Sequence, residues 1–279
     1  MNISFTKMQA CGNDYIYLNC FDTAINNPQA LSIQLSQRRF SVGADGIVLI
    51  LPSDVADAKM RIFNSDGSEG KMCGNAIRCV AKYLYENHIV SKRSMRIESI
   101  SGIKTVALTE QDGQIASITV DMGKPVLTPS EIPVNLAGAS VIAQDITIDG
   151  ICYNITCVSM GNPHAVLFCK DVDAWDLPKI GHAFEYDPLF PDRVNLELAE
   201  IIGPNHIKMR VWERGSGETF ACGTGACAAA VAAVLNGLCD KDTAIKVAMP
   251  GGALIIKYTD NTVYMTGNAE KTFEGVVTL

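Results

Sequence analysis

Apolar residues recur along this chain at two spacings. Ile77, Val80, Ala81 and Leu84 stand at i, i+3, i+4 and i+7, which predicts a helix from Gly74 to about Asn87 with one buried face. Residues 30–39 predict another, with Leu31, Leu35 and Ile33 turned inward, and residues 177–184 a third. From Ala226 to about Asn236 the chain is rich in alanine, and Gly237 stands where a helix C′ residue belongs. Small residues all round let backbone approach from every side, and a curved sheet is the best wrapping for such a helix. Shorter apolar runs between Gly, Asn and Asp turns predict strands. In the first half these are 3–8, 15–19, 47–51, 59–64, 95–99, 103–109 and 115–121. In the second they are 141–148, 151–158, 165–169, 194–201, 206–212, 247–248, 253–258 and 262–266.

The pattern is written twice. Cys73-Gly74-Asn75 opens one helix, and Cys222-Gly223-Thr224 opens its counterpart 149 residues later. At the same offset Lys59-Met60-Arg61-Ile62-Phe63 returns as Lys208-Met209-Arg210-Val211-Trp212. Glu69 returns as Glu218, Gly12-Asn13 as Gly161-Asn162, and Leu18 as Leu167. Gly102 meets Gly252 after one inserted residue. So long a period means two like domains rather than a solenoid. The proline-bearing stretch 123–133 lies between the copies. The fold expected is α+β, two pseudo-symmetric domains from an internal duplication, each a curved, mostly antiparallel sheet wrapped around a central helix.

Composition narrows the function. With 48% apolar residues in 279, each half can bury its own core. A net charge of −7 without a long basic run argues against nucleic acid and against an anionic membrane surface. The N-terminus lacks the apolar core of a signal peptide, and no apolar run approaches the ~20 residues that span a bilayer. Ten cysteines in such a chain read as reduced thiols of a soluble cytoplasmic protein. No C-x-x-C pair occurs, and spacings of five and six residues point to different helix faces, so no metal site is expected.

The candidate chemistry lies at the two helix starts. The first N–H groups of a helix have no intrahelical partner, and the helix dipole favours an anion there. Gly74-Asn75 and Gly223-Thr224 would cradle a carboxylate. The same field activates an adjacent thiol, Cys73 or Cys222. A cysteine at one helix start is by itself most often a small buried side chain. Two at equivalent starts suit one reaction: inverting a carbon by taking a proton from one face and returning one to the other, should the two domains face each other across a cleft. Converging amides would stabilise the charge developing on the α-carboxylate.

The stretch from Asn64 to Arg78, Asn-Ser-Asp-Gly-Ser-Glu-Gly-Lys-Met-Cys-Gly-Asn-Ala-Ile-Arg, resembles the signature of the diaminopimelate epimerase family. Glu213 to Gly225, Glu-Arg-Gly-Ser-Gly-Glu-Thr-Phe-Ala-Cys-Gly-Thr-Gly, is similar to the family's second signature. Gly12-Asn13-Asp14, Gly161-Asn162-Pro163-His164 and Arg193-Val194-Asn195 match in order, so the resemblance covers nearly the whole chain. It implies a cofactor-independent, metal-free epimerase that interconverts LL- and meso-diaminopimelate in lysine and cell-wall precursor biosynthesis, with Cys73 and Cys222 as the acid/base thiols. Gly74, Asn75, Gly223 and Thr224 would hold the reacting carboxylate. Asn64, Asn162, Asn195 and Arg214 would hold the distal end of the substrate, with Glu213 near its amine and Asn13 lining the pocket. His164 and Glu213 would take or tune the thiol protons. The fold implied returns the last strand to the first domain, giving domains of 1–122 with about 268–279, and 123–267. The small-molecule substrate is the one partner implied, with a homodimer as the assembly considered. The sequence departs from the family pattern at two points: Ala76 where many members have glycine, and Gly46 where some have a glutamine that reaches the site.

Two other readings stand beside this one. A racemase of histidine, proline or hydroxyproline type, or a related double-bond isomerase, would share the fold. A thiol-redox or ligand-binding module would not be an enzyme of this kind, but redox pairs favour C-x-x-C. Asn13, Asn162 and Asn195 could also serve as turn residues. His88, His182 and His206 carry no motif, nor do Cys11, Cys20, Cys79, Cys152, Cys157, Cys169, Cys227 and Cys239.

Overall fold

The 149-residue repeat reappears in the strand pairing. The computed structural model describes residues 2–278. It divides into two compact units, the first running to Asp121 and resuming at Thr266, the second Met122–Met265.

The first unit runs β1 (Asn2–Ala10), β2 (Asn13–Asn19), α1 (Pro28–Leu35), β3 (Gly46–Leu51), β4 (Ala58–Asn64), β5 (Glu69–Gly70), α2 (Gly74–Glu86), β6 (Ser94–Ser99), β7 (Gly102–Gln111) and β8 (Gln114–Gly123). The second runs β9 (Gln144–Ile148), β10 (Ile151–Ser159), β11 (Pro163–Phe168), α3 (Leu177–Tyr186), β12 (Asn195–Gly203), β13 (His206–Glu213), β14 (Gly217–Thr219), α4 (Gly223–Leu235), β15 (Ile245–Met249), β16 (Gly252–Tyr258) and β17 (Val263–Gly267). The last strand, β18 (Glu270–Thr278), returns to the first unit and pairs antiparallel with β1.

Pairing signs match between the units. β2–β3 and β11–β12 are parallel, as are β4–β6 and β13–β15. β3–β4 and β12–β13, β4–β5 and β13–β14, and β6–β7 and β15–β16 are antiparallel. Each sheet is therefore mixed but mostly antiparallel, as expected. α2 packs on β1, β2, β6 and β7; α4 packs on β10, β11, β12, β13, β15 and β16. The predicted stripe of α2, Ile77, Val80, Ala81 and Leu84, is fully buried. Burial of its Ile, Val and Leu stabilises the unit by about 1.5–3 kcal/mol for each side chain. In α4 every residue from Gly225 to Ala233 is buried, which is what small residues on all faces allow.

The two central helices begin and end alike. Cys73 and Cys222 are their N-caps, with extended backbone (φ −136° and −118°). At the far ends the chain turns left-handed at His88 (φ 58°) and Gly237 (φ 68°). The N–H groups of His88 and Ile89 donate to Tyr85 and Leu84, and those of Gly237 and Leu238 to Val234 and Ala233. Both ends are Schellman motifs.

The sequence misplaces some boundaries. α4 starts at Gly223 and not Ala226, and in the stretch 141–148 only Gln144–Ile148 is strand. α1 spans Pro28–Leu35 instead of 30–39, and its Ile33 is 46% exposed, not inward. Ser32 takes the inward position because its hydroxyl donates to the carbonyls of Phe63 and Asn64. The helix ends where the Ser36 N–H closes on the Ser32 carbonyl and the Gln37 carbonyl takes up Phe40 and Ser41 in turns.

Candidate active site

In the first unit the site is built around the α2 N-cap. Cys73 has the extended backbone of a capping residue, so its Sγ accepts the Ala76 N–H at 3.4 Å. The same sulfur donates to Asn13 Oδ1 at 3.3 Å. Asn13 is held in that orientation because its Nδ2 donates to Asp45 Oδ2 at 2.7 Å. Asp45 also takes the Asp14 N–H at 3.1 Å and the Arg38 guanidinium at 2.7 Å. Burial pushes the Asp14 carboxyl up, but hydrogen bonds from Arg38 and Lys7 outweigh it and hold the group below the usual carboxylate range. Gly74 and Asn75 precede the first helical hydrogen bond, Ile77 to Cys73, so their amides lie at the positive end of the dipole. The Asn75 side chain is turned inward, where Oδ1 accepts from the buried Arg78 at 2.9 Å. Asn64 ends β4, half-buried, and its Nδ2 donates to Ser68 Oγ at 3.0 Å.

Gly46 leaves no space for a side chain. A Cβ there would lie 2.0 Å from the Phe63 carbonyl oxygen and 2.9 Å from the Tyr15 ring.

The second unit repeats the cap. Cys222 Sγ accepts the Gly225 N–H at 3.3 Å and lies 3.4 Å from Thr224 Oγ1. Gly223 and Thr224 precede the first helical bond, Ala226 to Cys222. Burial first, then the carboxylates of Glu213 and Glu197, push the Cys222 thiol well above its ordinary value. A buried polar cluster lies on β11 and β12. His164 Nδ1 is 2.7 Å from Glu197 Oε1, and its Nε2 is 3.1 Å from Asn162 Oδ1. Asn195 Nδ2 lies 3.4 Å from His164 Nδ1, and Asn195 Oδ1 accepts the Arg214 N–H at 2.7 Å. Glu213, the last residue of β13, accepts from Thr219 Oγ1 at 2.5 Å. The Arg214 guanidinium is exposed and donates to the Asp192 carbonyl at 2.6 Å. Thus the second unit joins Asn162, His164 and Asn195 in one network that reaches the Arg214 backbone, and sets Glu213 and Glu197 electrostatically on Cys222.

The model of the family "Diaminopimelate epimerase" matches residues 5–128 and 156–272. A diaminopimelate epimerase of Acetivibrio thermocellus is 53% identical over 277 residues, covering 99% of this chain and 98% of that protein. The chain belongs to the diaminopimelate epimerase family. A diaminopimelate epimerase of Desulfovibrio desulfuricans is 50% identical over 281 residues, covering 98% of this chain and 97% of its own. A Bacillus anthracis phenazine biosynthesis protein of the PhzF family shares the fold, with a TM-score of 0.72 at 17% identity and full coverage of both chains.

Several side chains around this epimerase-family site carry no signal in the sequence. Glu185 on α3 is buried and accepts from Trp212 Nε1 at 2.7 Å and from the Gly215 N–H at 2.9 Å. It ties the turn that carries Arg214 to the helix. Asp45 and Arg38 set the Asn13 amide, and Glu197 sets His164. Long-range partners of this kind follow from the strand register and not from any local motif. Among the described residues no cluster of three or more His, Cys, Asp or Glu could hold a metal, and no helix is long and apolar enough to cross a membrane.

Proposed function

We propose that this chain interconverts LL- and meso-diaminopimelate, with Cys73 and Cys222 acting on opposite faces of one α-carbon. The observation that carries the reading is the pair of thiols at equivalent helix N-caps, inside the span matched by the family. One thiolate takes the α-proton. The electron pair left by the broken C–H bond moves into the α-carboxylate as an enediolate. The other thiol returns its own proton to the opposite face. The first proton stays on the first sulfur, so the two cysteines exchange roles with each turnover and both directions are served. Gly74, Asn75, Gly223 and Thr224 supply amides at two positive helix ends for the charge that develops on the carboxylate. Side chains alone supply the acid and base in this mechanism.

Asn64, Asn162, Asn195, Glu213 and Arg214 are assigned to the distal amino acid. A guanidinium fork suits its carboxylate and Glu213 its ammonium. Asn13 holds Cys73, and His164 and Glu213 tune the thiol protons. We place the enzyme in the reducing cytoplasm, as a homodimer acting on a small molecule without nucleic acid or membrane. Among the described residues no disulfide joins two cysteines, which is in keeping with that compartment.

The test is a substrate panel. Purified protein should interconvert the LL and meso isomers and leave DD-diaminopimelate, proline and histidine nearly untouched. Faster racemisation of proline or histidine than of diaminopimelate would move the enzyme to another branch of the same fold.

A further inference from the structure

A pair of ionisable side chains is buried in the second unit where its duplicate has none. His164 and Glu197 are both 0% exposed, and Glu197 Oε2 has no hydrogen-bond partner among the described residues. Taking a carboxylate out of water is costly, and an unpaired oxygen adds to the cost. Burial pushes the Glu197 carboxyl up, while His164 pulls it back. Glu213, Cys157 and Cys222 are the other titratable groups that feel its charge.

The fold does not demand this pair. In the first unit Tyr15 pairs with Gly46, and in the second His164 pairs with Asn195, the same register shifted by 149 residues. At that shift Glu197 corresponds to Val48 and Gly225 to Ala76, both fully buried apolar residues. A Cβ at position 225 would stand 2.6 Å from Glu197 Oε1, so the glycine makes room for the carboxylate. Three positions therefore differ together between two otherwise matching halves: Tyr15, Val48 and Ala76 on one side, His164, Glu197 and Gly225 on the other. In the first unit Val48 and Ala76 are fully buried, so the architecture closes there without a carboxylate. The polar set lies under the first turn of α4, beside Cys222.

We propose that Glu197 is a positioning residue of the epimerase site, whose carboxylate accepts the Nδ1–H of His164 and fixes the tautomer and tilt of that ring. The inference rests on the epimerase reading above. An ionised carboxylate can only accept, so Nδ1 keeps its proton and Nε2 carries a lone pair; the Asn162 amide 3.1 Å away then serves Nε2 as donor, with its NH2 group turned to the ring. Gly225 belongs to the same device, because alanine there would displace the carboxylate.

The test gives two of the three positions their first-unit residues and keeps His164 as the reporter. The double variant Glu197→Val with Gly225→Ala copies the first unit at Val48 and Ala76, both fully buried there, so it should fold with a melting temperature near wild type. Its kcat for LL-diaminopimelate should fall ten- to hundred-fold with KM changed less than about twofold, the scale of losing a group that orients a reacting side chain. In nitrogen-15 histidine spectra His164 should pass from the Nδ1–H to the Nε2–H form. Glu197→Gln keeps an acceptor oxygen, so it should retain the Nδ1–H form and most of the turnover. Wild-type kcat in the double variant, or an unchanged tautomer, would overturn the proposal. So would loss of both properties in Glu197→Gln at an unchanged melting temperature, which also decides the matter if the double variant does not fold. Absence of diaminopimelate turnover in the wild type would instead defeat the epimerase reading, and the spectra would still decide whether Glu197 sets the ring.

Discussion

Cys73 and Cys222 share a backbone geometry and differ in what surrounds the sulfur. Cys73 is half-buried and donates to an amide oxygen that Asp45 holds in place. Cys222 is buried beside two carboxylates. Replacing either by alanine should abolish epimerisation in both directions, measured as loss of optical rotation change with LL- or meso-diaminopimelate. Near-wild-type turnover in either variant would refute the two-thiol mechanism. Arg214→Ala should leave the thiols intact and raise KM by roughly ten- to a hundredfold, the value of about 1.5–3 kcal/mol for a hydrogen bond to a charged group. Initial-rate kinetics would show it, and an unchanged KM would remove Arg214 from the distal pocket. At this scale the thiols were legible because they stand in a repeated motif at a helix start. Glu197 was not. It lies between Leu196 and Leu198, an alternation that reads as the solvent side of a strand, yet β12 is buried on both faces along its first five residues.

The helices were legible wherever their own pattern decided them. α2 and α4 are 13 residues each and end in the same left-handed turn, one with histidine and one with glycine. A side chain in that conformation carries a cost that glycine avoids. His88→Gly should therefore stabilise the protein by about 0.5–1 kcal/mol, and Gly237→Ala should destabilise it by about 1 kcal/mol. Urea midpoints at neutral pH check both, and a His88→Gly variant less stable than wild type would show that the imidazole does more than occupy the turn. The α1 boundary failed because tertiary bonds from Ser32 to β4 outweighed the apolar spacing. The two short strands β5 and β14 were too brief for any periodicity to reveal.

For the whole molecule the duplication was the most legible feature, since matched residues at one offset fix two copies of one supersecondary order. Its buried thiols give the molecule a pH signature. Burial pushes Cys20 up to about 11, and Cys79 and Cys157 up to about 12. These folded-state values exceed that of an unfolded thiol near ~8.5, so their effect is absent below that pH. Above it the unfolded chain loses protons that the folded one keeps, and stability falls by roughly 1.4 kcal/mol per pH unit for each such thiol. With reductant present, the urea midpoint should be clearly lower at pH 10 than at pH 7.5; equal midpoints would contradict the burial of these groups. The central claim, proton removal and return at one carbon by two thiols, is tested most directly by incubating LL-diaminopimelate with the enzyme in deuterated water and following early product by mass spectrometry and NMR. The account predicts meso product carrying one deuteron at the inverted α-carbon and none at the other, with no label and no product in Cys73→Ala or Cys222→Ala. Unlabelled meso product, or label at both α-carbons from the first turnovers, would contradict it.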